Sequence, residues 1–146
     1  MKKLFAASFA LLLCSFSQEQ PKPRYDTFFG CHHAGIVTLD VNQFIQMLNQ
    51  PICAKDSSNN LFKVESYDIT YAERGVYQDS TGLPIITVDY TSDHCKGDSV
   101  TANWKQIFKE RAFKGDTIYI EKVSIKDQAN KYAYSKGVKI ILKGGN

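Results

Sequence analysis

Residues 61–92 read LFKVESYDITYAERGVYQDSTGLPIITVDYTS, and their alternation decides the fold class. Tyr67, Ile69 and Tyr71 alternate with Asp68, Thr70 and Ala72, the two-residue period of a strand with one buried face. Val64 stands out of phase with Tyr67, which predicts a β-bulge near Glu65-Ser66. Glu73-Arg74-Gly75 and Asp79-Ser80-Thr81-Gly82 carry turn signals. A second strand follows from Leu83 to Thr91, with Ile86, Val88 and Tyr90 on one face. Two consecutive strands joined by a short connection predict an antiparallel pair.

The same period extends in both directions. Upstream, Val37, Leu39 and Val41 share a face, and Asp40 is placed to cap a short helical turn around Phe44 with Gln43 as its capping-box partner. Pro51 lies just beyond that turn's end. Downstream, Ser92 to Gly97 breaks the pattern, and Val100, Trp104, Ile107 and Phe108 then fall at helical spacing. Asp98 or Ser99 can cap this helix, which spans about Val100–Ala112, and Gly115 stops it. Lys109, Arg111 and Lys114 suit the negative end of its dipole. Asp116 to Lys126 is again a strand, with a phase slip near Glu121-Lys122 that predicts a second bulge. Val138, Ile140 and Leu142 alternate through the closing strand. About six strands, one amphipathic helix and no βαβ rhythm describe an all-β antiparallel sandwich.

The N-terminus is an address. Lys2 and Lys3 precede an apolar run from Leu4 to Cys14, and Ser15-Phe16-Ser17 supplies a small-x-small cleavage site between Ser17 and Gln18. The run is shorter than the ~20 residues that span a bilayer. Lipidation of Cys14 is the competing reading, weakened by Leu13 where that peptidase prefers a small residue. The organisation expected is a signal peptide over 1–17, an extended Pro-containing leader over 18–34 and a β-sandwich over 35–146. No other stretch is apolar enough to form a membrane helix, so no integral membrane protein is expected after cleavage. The expected location is exported: periplasmic, outer-membrane-associated or secreted.

Without Lys2 and Lys3 the count is 16 basic against 15 acidic residues. That near-neutral balance lacks the basic excess of a nucleic-acid binder. Export also bears on the cysteines. Cys31, Cys53 and Cys95 remain after cleavage, so one disulfide and one thiol are expected. Cys53 is the favoured member because it follows Pro51, where the chain must dock back on the sheet. Its partner is left open between Cys31 and Cys95.

Every histidine lies within two residues of a cysteine, in Cys31-His32-His33 and His94-Cys95. Thiolate with imidazole is a zinc-binding set, and these five residues define the alternative reading, a small secreted metal-binding protein or metalloenzyme. The spacing fits no CxxC or HExxH pattern, and a nucleophilic Cys31 lacks any orienting third group. Asp68, Asp89, Asp93 and Asp98 could hold calcium but lack EF-hand spacing. No glycine-rich phosphate loop is present. The preferred expectation is therefore no catalytic, cofactor or metal residues, with the surplus of 8 tyrosines serving the core and contacts to protein or glycan.

Phe62-Lys63-Val64-Glu65-Ser66-Tyr67, and later Gly115-Asp116 leading into Thr117-Ile118-Tyr119-Ile120-Glu121-Lys122-Val123, carry a family likeness. Over roughly Gly35 to Lys143 the chain resembles the C-terminal domain of GldM, a gliding-motility and type IX secretion protein family of Bacteroidota. The resemblance implies an immunoglobulin-like sandwich, extracytoplasmic placement, and a non-enzymatic role in binding or supporting other envelope or secreted proteins. Mass spectrometry of the mature chain should find Gln18 at its N-terminus. A diacylated Cys14 would contradict the cleavage reading.

Overall fold

The computed structural model describes residues 24–144, so the expected signal peptide and its expected cleavage site at Ser17 and Gln18 lie outside the described residues. Among the described residues, ten strands and two helices follow in chain order: β1 Tyr25–Phe29, β2 His33–Ala34, β3 Ile36–Asp40, α1 Val41–Met47, β4 Cys53–Asp56, β5 Leu61–Phe62, β6 Val64–Gln78, β7 Pro84–Lys96, α2 Ala102–Arg111, β8 Thr117–Lys126, β9 Tyr132–Ser135 and β10 Val138–Lys143. They form two sheets. The larger has the order β3-β10-β8-β6-β7, with β9 also on β8, and the smaller has the order β2-β1-β4-β5. The chain is thus mostly β, as its alternation predicts.

Both phase slips correspond to irregularities in one ladder. The pairing of β6 with β8 shifts between Val64 and Ser66, and again between Ser66 and Asp68. Lys122 takes up the second shift with a positive φ of 47°. This break also divides the far edge of β8: β10 pairs with Thr117–Ile120, and β9 pairs with Val123–Lys126.

Asp40 caps α1, its side chain accepting from the Gln43 N–H at 2.8 Å, while the Gln43 side chain accepts from the Asp40 N–H. The second helix is shorter than the apolar spacing suggests. Its cap is Thr101 rather than Asp98 or Ser99, and Val100 is buried outside it. Ala112 already has extended backbone. Phe44 of α1 and Trp104 and Phe108 of α2 enter one core with Tyr71 of β6 and Phe29 of β1. Phe108 meets Phe44, Tyr71 and Trp104 at ring-centroid distances of 5.1–5.2 Å.

The structure departs from the sequence reading in three further places. The sheet is not wholly antiparallel: β3 runs parallel to β10 at one edge. These strands come from opposite ends of the domain, so no hairpin constrains their direction. The ordered sandwich starts ahead of Gly35, because Tyr25 and Phe29 of the expected leader are buried in β1. Finally, neither Glu73–Gly75 nor Ser92–Lys96 interrupts its strand. The hairpin pairs continuously from Ser66↔Lys96 to Gln78↔Pro84.

Cys31 and Cys53 are joined in a disulfide with Cα atoms 5.0 Å apart, and Cys95 is a free, buried thiol. Pairing of Phe28 with Cys53 brings the turn after β1 alongside β4. Closing this 22-residue separation is worth about 3 kcal/mol in the chain-entropy model. Replacing both cysteines by alanine should lower Tm by about 10 °C, read by circular dichroism. On the unreduced mature chain, thiol titration should find one reactive group, exposed only by denaturation. A Tm unchanged by the replacement would contradict the cross-link's role.

Candidate functional site

Strand β6 is central only for part of its length. It pairs with β8 as far as Ala72↔Thr117 and beyond that point pairs with β7 alone. Residues 73–78 and 84–89 therefore form a two-stranded arm past the end of β8. Paired residues across an antiparallel ladder point to the same face. The buried stripe Tyr67, Ile69 and Tyr71 thus shares its face with Cys95 and Asp93. Val76, Ile86, Val88 and Tyr90 lie on the opposite face with Arg74, Asp68 and His94.

Nothing among the described residues buries that second stripe. Val76 is 65% exposed, Ile86 57%, Val88 44% and Tyr90 67%. Tyr77 and Ile85 are exposed on the other face of the arm, and Leu83 at its tip. Monomeric proteins seldom leave a contiguous apolar patch of more than a few hundred Å2 in water, and such patches mark contact surfaces. β7 is also a 13-residue edge strand, whose outer backbone groups are open to pairing.

Nearer the body, the same outer face is polar. Asp68 Oδ1 accepts from His94 Nδ1 at 2.7 Å, and its Oδ2 lies 3.0 Å from Lys122 Nζ. The hydrogen bond to His94, followed by that to Lys122, holds the Asp68 carboxyl below the usual carboxylate range. Thr70 and Ser92 hydroxyls meet across the ladder at 2.8 Å. This is a cross-strand ion-pair cluster flanking the apolar stripe.

The cysteine–histidine set is not assembled. Cys31 is spent in the disulfide, His32 lies in the turn before β2 and His33 begins that strand, and strand alternation sends His94 and Cys95 to opposite faces. Burial raises the Cys95 thiol pKa. Among the described residues no three His, Cys, Asp or Glu side chains are grouped as a metal site. The aspartates also separate: Asp89 pairs with Glu73, Asp93 binds its neighbour's N–H, and Asp98 accepts from Ile52 through its backbone.

The tyrosines divide into core and surface. Tyr67 donates to the Ser99 carbonyl at 2.9 Å, and Tyr71 to Asp116 Oδ2 at 2.6 Å. Burial raises both phenols above their ordinary range, with Asp116 adding to the shift at Tyr71. Tyr77, Tyr90, Tyr132 and Tyr134 are exposed. Lys139 lies over the half-buried Tyr119 ring.

Comparison with protein-family models and with curated proteins finds no match for the chain. The resemblance to the GldM C-terminal domain rests on the residues quoted for it. Among the described residues no helix is long and apolar enough to cross a membrane.

Because the arm's outer side chains already lie in water, the double change Ile86→Lys and Val88→Lys should move Tm by no more than about 2 °C. Ile118→Lys, at a buried position two strands away, should prevent folding. Thermal melts of both variants check the contrast. Collapse of the arm variant would show that its stripe is covered within the monomer.

Proposed function

We propose that this chain is an exported, non-enzymatic β-sandwich module of the cell envelope that holds another protein through its β6–β7 arm. One observation carries the reading: Val76, Ile86, Val88 and Tyr90 form an exposed apolar stripe on a hairpin supported from one side only. An isolated two-stranded ribbon is marginally stable in water, so a protruding one gains from a partner that covers it. Arg74 stands opposite Val88 within the stripe, and Asp68 and His94 lie beyond its Tyr90 end, so tyrosine and aliphatic side chains are mixed with polar ones as in a protein contact.

Export is supported by the Lys2-Lys3 start, the apolar run to Cys14 and the Cys31–Cys53 disulfide, since such cross-links persist in oxidising compartments. The immunoglobulin-like connectivity and kinship with the GldM C-terminal domain belong to the same proposal. So does a place in type IX secretion or gliding motility, as a periplasmic, outer-membrane-associated or secreted component of a Bacteroidota envelope.

Photo-crosslinking in the source cells tests the reading. A photoreactive phenylalanine analogue at Tyr90 should give a discrete adduct heavier than the chain and distinct from its dimer. That adduct should disappear with Ile86→Lys. The same analogue at exposed Tyr132 on β9 should give none. Equal adducts from both positions, or none from Tyr90, would overturn the arm as the docking element.

A further inference from the structure

The arm has a second free edge. Arg74 N–H points toward the β8 side of β6, where it donates to Asp116 Oδ1 at 2.8 Å. Strand alternation aims the N–H and C=O groups of Val76 and Gln78 the same way. β8 has already ended there, and among the described residues no backbone group pairs with Val76 or Gln78 on that side. This edge opens into a groove of about 560 Å3 lined by Arg74, Val76, Phe113, Lys114, Gly115 and Lys143.

The lining has a definite chemistry. Arg74, Lys114 and Lys143 supply three exposed cations, no carboxylate side chain of the described residues lines the groove with them, and exposed Val76 and Phe113 give it apolar walls. Gly115 keeps the floor open: its φ is +95°, and a Cβ there would come within 3.0 Å of the Arg74 side chain. Six residues of strand edge, 73–78, offer ~20 Å of pairing length at 3.3 Å per residue.

We infer that this edge receives an extended acidic peptide segment of the partner, which adds a strand beside β6 in line with β8. Backbone pairing to Val76 and Gln78 supplies the register, and glutamate or aspartate side chains meet Arg74, Lys114 and Lys143. The apolar side chains of the segment cover Val76 and Phe113. The β7 edge is the less suited receiver: Asp89 and Asp93 lie along it with Lys96 only at its far end, whereas Glu73 on the β6 edge is already paired with Arg111. This inference rests on the reading of the chain as a protein-holding module and names the partner's docking segment.

The test uses the mature chain with two capped, fluorescein-labelled octapeptides, one alternating glutamate with valine and the other lysine with valine. Fluorescence anisotropy should show the acidic peptide binding at least tenfold more tightly than the basic one, and more weakly as salt is raised. Arg74→Glu with Lys143→Glu should reverse the preference without changing the circular dichroism spectrum, since both side chains are exposed. In 15N–1H spectra the acidic peptide should shift the amides of Val76 and Gln78. No binding of the acidic peptide at 1 mM, equal binding of both peptides, or shifts confined to Ile86, Val88 and Tyr90 would overturn the inference. So would dimerisation of the unliganded chain through the groove, because a second copy would then be the occupant. The crosslink from Tyr90 is measured separately, and its persistence after a negative peptide result leaves the docking-arm reading standing.

Discussion

Asp116 is completely buried, and its carboxylate accepts three hydrogen bonds: from the Tyr71 hydroxyl at 2.6 Å, the Arg74 N–H at 2.8 Å and the Phe113 N–H at 2.8 Å. A buried carboxylate is tolerated only when such donors replace its water. These three come from the core face of β6, from the edge of β6 and from the turn after α2. One side chain therefore fixes where the helix returns, where β8 begins and where β6 loses its second neighbour. At Arg74 a side-chain oxygen takes the place of the next strand's carbonyl. The body of the protein lies on one side of that substitution and the free arm on the other.

The covering layer follows the same limit. α1, α2 and the small sheet bury the inner faces of β6, β8 and β10, where Ile69, Ile118, Ile120 and Ile140 are all at most 1% exposed. β7 sends only Cys95 into that core, from the end nearest the body. The distal hairpin thus has apolar side chains that none of the described residues covers. Its exposure is a consequence of topology.

Much of the architecture was legible in local pattern. The Asp40–Gln43 capping box, both bulges and the buried alternation of β6, β8 and β10 are properties of short windows, and short windows are what periodicity reports. The arm was not legible for a non-local reason. Tyr67, Ile69 and Tyr71 form an apolar stripe, and so do Ile86, Val88 and Tyr90. The register Gln78↔Pro84 puts these stripes on opposite faces of the hairpin, so only one can meet the core. Glu73-Arg74-Gly75 looked like a turn because Glu73 and Arg74 are charged and Gly75 is flexible, yet pairing with Thr87–Asp89 holds them extended. Ser92–Lys96 lacks alternation of its own and is a strand because β6 templates it. The cysteine partner was likewise undecided until the β1–β4 pairing brought Cys31 to Cys53.

At Asp116, β6 changes from a two-sided strand to a one-sided one. Residue-resolved amide hydrogen exchange on the isolated mature chain tests this most directly. Exchange should be slow at Asp68, Thr70, Ala72 and Arg74 and change abruptly to fast at Val76 and Gln78. Slow exchange continuing through Val76 and Gln78, or fast exchange already at Arg74, would contradict it.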